Sequence, residues 1–159
     1  MWGRWALAIV VGLIGAGLMG SPAEADVRVG AGAGIIGQEA APMGRVGVDV
    51  LSLWFVTAAV DAEVWLVPDG GPWVMPFLTV STPLLFKATV GVAPLIDVAE
   101  ADLTSPPSVA ALKAAVGAGV GPLELFGEAI FFVLPGQGVP SSIDDLGRPI
   151  FAFGVTLGF

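Results

Sequence analysis

The chain has 159 residues, 55% of them hydrophobic and 13% charged, with 23 Gly, 13 Pro and no Cys, His or Tyr. Without Cys or His it holds no thiolate zinc site, no cysteine nucleophile, no Ser-His-Asp triad and no disulfide scaffold. A net charge of −8 repels polyanions and excludes a nucleic-acid reader, and the length suits one domain.

The chain opens with a short positive stretch, Met1 to Arg4, followed by an apolar run from Trp5 to Leu18 and the small-residue site Ala23-Glu24-Ala25. This is the pattern of a secretory signal peptide cleaved before Asp26, giving residues 1–25 as leader and 26–159 as the mature domain. The apolar run is too short for a spanning helix, which needs about 20 residues. Loss of the leader removes Arg4 and Glu24, one charge of each sign, so the mature chain keeps its net charge of −8.

Beyond residue 25 the apolar residues alternate with period two. Strands are expected near 26–36, 44–52, 55–66, 73–82, 84–94, 110–120, 123–134 and 149–159. In the first strand, Gly32-Ala33-Gly34-Ile35-Ile36-Gly37 matches G-x-G-x-x-G and is trailed by Asp49. A dinucleotide site would need a helix opening there, and Pro42 and Gly44 interrupt it, so these glycines read as small residues of a strand. In the third, Val56, Ala58, Val60, Ala62 and Val64 face one way and Thr57, Ala59, Asp61 and Glu63 the other. In the sixth, Leu112, Ala114, Val116, Ala118 and Val120 oppose Lys113, Ala115, Gly117 and Gly119. In the last, Phe151, Phe153, Val155, Leu157 and Phe159 oppose Ala152, Gly154, Thr156 and Gly158.

One face is bulky and apolar, and the other is small with a few charges. A soluble sandwich turns its apolar face to a core and covers the other with Lys, Glu, Thr and Ser. Here the small face suits the narrow inside of a membrane barrel and the bulky face suits lipid. The inward parity then collects Arg28, Arg45, Asp49, Asp61, Glu63, Lys87, Lys113, Glu124 and Glu128, every base of the mature chain except Arg148. Such a lumen network nearly cancels in charge, as a water-poor interior requires.

Glu124 and Glu128 invite comparison with a catalytic carboxylate pair, but residues four apart on a strand are separated by about 13 Å, too far for a shared bond. Ion pairing with Lys113 or Lys87 is expected instead, and Asp61 and Glu63 are read the same way. The expected connections alternate in length. Gly37 to Met43, Val67 to Pro72, Leu95 to Val109 and Pro135 to Arg148 are long, while Leu51 to Trp54, Ser81 to Pro83 and Gly121 to Pro122 are tight. Pro76 and Pro94 stand against a perfect ladder, because each lacks an N–H. The acidic loop residues Asp97, Glu100, Asp102, Asp144 and Asp145 lack EF-hand spacing and read as solvated charge.

The terminal run Phe151-Ala152-Phe153-Gly154-Val155-Thr156-Leu157-Gly158-Phe159 resembles the last strand of Gram-negative outer-membrane proteins. In that family a final Phe with alternating apolar residues, here Phe151, Phe153, Val155, Leu157 and Phe159, is the signal read by the barrel-insertion machinery. The mature chain resembles the small eight-stranded barrels of the OmpX-like proteins and the membrane domain of OmpA. The resemblance implies an all-β antiparallel barrel with short periplasmic turns, longer outer loops and an outer-membrane location. It also implies passage by periplasmic chaperones, contact with membrane lipid and lipopolysaccharide, and a monomer. Tyr is absent, so an aromatic girdle falls to Trp54, Trp73 and the Phe residues. Lipid-modifying relatives would need a catalytic His that is missing.

The expected function is a structural or surface-interaction barrel, porin-like in wall but closed in lumen, with no catalytic, cofactor-binding or metal residues and no nucleic-acid partner. A barrel of eight strands has room for little beyond its own side chains. The alternatives are a narrow channel or carrier for small hydrophobic molecules and, from another class, a helical inner-membrane protein using Leu84 to Ala99 and Leu112 to Leu134. The helical alternative would place Lys87, Pro94, Glu124 and Glu128 at expensive depth. A soluble secreted β-protein would leave a large apolar surface in water.

Overall fold

The computed structural model describes residues 26–68, 70–82, 86–99, 109–133 and 148–159. The leader 1–25 and most of the loop acids lie outside the described residues. Eight long strands and one short one make up the fold: β1 Val27–Ile36, β2 Glu39–Leu53, β3 Val56–Leu66, β4 Pro72–Ser81, β5 Phe86–Pro94, β6 Ile96–Asp97, β7 Ala110–Val120, β8 Leu123–Val133 and β9 Ile150–Gly158. All pairings are antiparallel, β1 joins β9, and β3 joins β4, so the sheet closes on itself as an eight-stranded barrel. The helical alternative is overturned: Leu84 to Ala99 and Leu112 to Leu134 hold β5, β6, β7 and β8, and no helix occurs among the described residues.

Among the eight long strands, neighbours in sequence are neighbours in the wall, while the short β6 continues past β5 to pair with β4. The strand ends on either side of 37–38, 67–71, 95–109 and 134–149 lie at one rim, and those on either side of 54–55, 82–85 and 121–122 lie at the rim where β1 begins and β9 ends. These are called the loop rim and the turn rim below. Gly121 has φ of 61° and is followed by Pro122, whose φ is fixed near −65°, the sign combination of a type II′ hairpin turn.

Two turns differ from expectation. Residues Gly37 to Met43 do not form a long loop, because Gly37, with φ of 66°, closes a two-residue turn and β2 starts at Glu39. Pro42 is tolerated inside β2 because it lies opposite Ala33, out of phase with the closing pair Ile36–Glu39, in a pair that exchanges no hydrogen bonds with β1. The second hairpin turns at Trp54–Phe55 rather than at Leu51 to Trp54. A bulge between Asp49 and Leu51 inserts Val50 and flips the parity, so Ser52 points inward to Thr57 while Leu51 and Leu53 point out.

Apart from this bulge, side chains alternate between lumen and outer wall. Every outward residue of the described strands is Val, Ala, Leu, Ile, Phe, Pro or Gly, and Leu125, Phe151 and Phe153 are among the large apolar residues exposed there. The core is the lumen itself. Its loop-rim half is packed with Met43, Trp65, Met75, Phe77, Ile130 and Ile150, all buried.

Candidate functional site

The inward faces of β1, β2, β3, β5, β7 and β8 each deliver one or two of the expected charged side chains to the lumen, and glycines make room for the larger side chains beside them. A Cβ at Gly117 would stand 2.7 Å from Glu124 Oε1, and one at Gly34 would stand 2.7 Å from the Trp65 ring. Small residues and large ones thus interlock across the barrel, as a narrow interior demands.

The nine expected lumen charges lie in two tiers. In the tier toward the turn rim, Arg28 of β1 lies between two acids. Its Nη2 is 2.9 Å from Asp49 Oδ1, close but poorly aligned for a hydrogen bond, and it donates to Asp61 Oδ1 at 3.2 Å. Thr79 of β4 donates to Asp61 Oδ2 at 2.8 Å, and Lys87 of β5 donates to Glu124 Oε2 of β8 at 3.3 Å. The deeper tier centres on Glu63 of β3, which is fully buried. Its Oε1 accepts from Arg45 Nη2 and from Lys113 Nζ, each at 2.7 Å, and its Oε2 faces Trp65 Nε1 at 3.4 Å. Arg45 also donates to Glu128 of β8. Arg45 lies 4.0 Å over the Phe126 ring and Lys113 lies 4.2 Å over the Phe77 ring, so aromatic faces cover the cations where acids do not.

Glu124 and Glu128 share a face of β8 but engage different bases, Lys87 and Arg45, and Asp61 and Glu63 likewise belong to different tiers. Each of the five carboxylates is within ion-pair distance of a cation, while Glu128 Oε1 is buried without a hydrogen-bond partner among the described residues. The glycine motif from Gly32 to Gly37 runs along β1 into a hairpin turn, with no helix to receive a phosphate.

Two spaces adjoin the network. One of about 20 Å³, the size of a single water, is bordered by Arg28, Asp61, Lys87, Glu124 and Thr156. The other, of about 410 Å³, opens at the turn rim between Asp26, Arg28, Asp49, Lys87 and Phe159. The lumen is therefore open and charged at the turn rim and packed with apolar side chains toward the loop rim.

The outer wall carries a second pattern. Trp54, Phe55, Phe86 and Phe159 are all strongly exposed and all sit at the turn rim. Trp73, expected in a girdle, points inward instead: its Nε1 donates to Asp97 Oδ2 at 3.2 Å and its ring meets Phe132 edge-on at 5.9 Å. The terminal run places Phe151, Phe153, Val155 and Leu157 on the outer wall of β9, and Phe159 just past its end is tied to Val27 by two backbone hydrogen bonds.

Sequence reasoning singled out neither Trp65 nor Thr79, which complete the network. Both follow the inward parity of their strands, but neither carries a charge to draw attention to it. No protein-family model, curated protein or solved structure matches the chain.

Proposed function

We propose that this chain is an integral outer-membrane β-barrel whose charge network closes the lumen and whose role is structural or surface-directed rather than enzymatic. The observation that carries this reading is the inverted polarity of the barrel. The outward faces of the described strands are wholly apolar, and Arg28, Arg45, Asp49, Asp61, Glu63, Lys87, Lys113, Glu124 and Glu128 are paired inside. Lipid accepts such a wall and water does not. A closed barrel also satisfies the backbone groups that hydrocarbon cannot.

The turn rim, where β1 begins, β9 ends and Trp54, Phe55, Phe86 and Phe159 gather, then sits at the periplasmic interface. The longer connections face outward toward lipopolysaccharide. Residues 1–25 serve as the export signal, and β9 with Phe159 serves the insertion machinery. The barrel works as a monomer.

The test is co-flotation of the full chain with phospholipid vesicles after a carbonate wash, paired with gel mobility before and after boiling. Retention with the vesicles and a heat-dependent shift are expected. A chain left in the soluble fraction overturns the proposal. A second reading, a carrier for small apolar molecules, is favoured by one interruption in the wall between β4 and β5.

A further inference from the structure

The β4–β5 seam sets two prolines face to face. Pairs from Leu78–Val92 to Ser81–Thr89 join β4 to β5, and Trp73–Asp97 and Val74–Ile96 join β4 to β6 in the same register. That shared register puts Pro76 opposite Pro94. In an antiparallel ladder, opposite residues alternate between pairs that exchange two N–H···O bonds and pairs that exchange none. The phase of this seam is fixed from both ends: Thr82 N donates to Ala88 O at 3.0 Å, and Val98 N donates to Pro72 O at 3.0 Å. Stepping inward by twos from either bond makes Pro76–Pro94 a pair due to exchange two bonds, and neither residue has an N–H to give.

The ladder lapses there, leaving Met75 to Phe77 unpaired with Ala93 to Leu95. The flanking seams are intact because each proline directs its missing donor at the other. Pro76 stays in register with Ala62 of β3, Pro94 with Ala110 of β7, and Leu95 N donates to Val109 O at 2.9 Å. The Pro76 and Pro94 carbonyls thus lack their cross-strand donors. Val74, Leu78, Val92 and Ile96 flank the gap outside, and the buried Met75 and Phe77 stand behind it.

We propose that this gap is a lateral port for an apolar molecule bearing one hydroxyl or amide donor. Such a molecule enters from the bilayer, donates to the Pro76 or the Pro94 carbonyl and lays its apolar body against Met75 and Phe77. Hydrocarbon offers those carbonyls no other donor, and unbranched Met75 yields to a guest more readily than a branched side chain. The inference rests on the membrane placement proposed above.

The test uses the full chain carrying Trp2→Phe, Trp5→Phe and Trp54→Phe in phosphatidylcholine vesicles, so that emission comes from the lumen residues Trp65 and Trp73. A brominated long-chain alkanol is expected to quench this emission saturably. A bromoalkane of equal length should bind about fivefold more weakly, the net worth of one hydrogen bond. Pro76→Val with Pro94→Val restores both N–H groups and should abolish saturable quenching. If the double variant fails to fold, Pro94→Val alone restores one bond and should weaken it. Absent quenching, equal quenching by alkanol and alkane, or quenching that survives the valines overturns the port. A chain that does not float with the vesicles overturns the membrane reading as well.

Discussion

Glu63 accepts from Arg45 and Lys113 while Trp65 approaches its second oxygen, so three strands are tied at one carboxylate. Neutralising it leaves two buried cations against Glu128 alone, the situation in which breaking a buried pair costs about 3–5 kcal/mol. Glu63→Gln is expected to lower the unfolding free energy by about that amount, read from urea titrations in detergent micelles. Adding Lys113→Met removes the stranded cation and should recover part of the loss. Simple addition of the two single losses would show that Lys113 and Glu63 are not coupled. Gly34 tests the complementary constraint. A Cβ there would meet the Trp65 ring and the Phe151 carbonyl oxygen, each at 2.7 Å, so Gly34→Val should cost about 1–3 kcal/mol in the same titration and shift the Trp65 emission. The parity of the charged residues was legible in the sequence because lumen and wall alternate with period two. Their pairing was not. Arg45 and Glu128 are 83 residues apart, and they meet only because closure through β1 and β9 brings β2 and β8 within reach across the lumen.

Strands are legible where alternation is unbroken, and β3, β7 and β8 fall within a residue or so of their expected limits. Sequence pattern failed where a single residue reset the phase. The bulge at Val50 put Leu51, Val50 and Leu53 on one surface, so the end of β2 lost its alternation and resembled a turn. Pro42 fell in the expected loop Gly37 to Met43, yet it sits inside β2, because its harmlessness depends on which neighbour its missing N–H faces, and that phase is set by the hairpin closed at Ile36–Glu39. The tight turn at Gly121-Pro122 was readable from its residue types alone. Its Gly has φ of 61°, where a side chain costs about 1–2 kcal/mol. Gly121→Ala should therefore destabilise the β7–β8 hairpin by about 1 kcal/mol, and Gly119→Ala, without a positive φ, should be milder in the same urea titration. Equal losses at the two positions would remove the backbone explanation.

Taken whole, the barrel is blocked twice along its axis. Beside the ion pairs and above them, toward the loop rim, Trp65, Met75, Phe77 and Ile130 are completely buried, and below them the space of about 410 Å³ opens at the turn rim. An ion entering from the turn rim meets paired charges that offer no free counter-ion and then an apolar layer that offers no hydration. Moving a bare charge into such a layer is prohibitive. The full chain in planar bilayers should accordingly show no steady conductance steps. Trp65→Ala with Phe77→Ala removes the two largest parts of that layer and uncovers Lys113, whose ammonium lies 4.2 Å over the Phe77 ring. Small steps are then expected, favouring cations, because the four bases and five acids of the lumen leave one negative charge in excess. Gel mobility before and after boiling must first show that the variant still folds. Steps from the unaltered chain would mean that the apolar layer is not a seal. Silence from the folded double variant would assign the block to the ion pairs alone, since Arg45, Glu63, Lys113 and Glu128 would still span the lumen from β2, β3, β7 and β8.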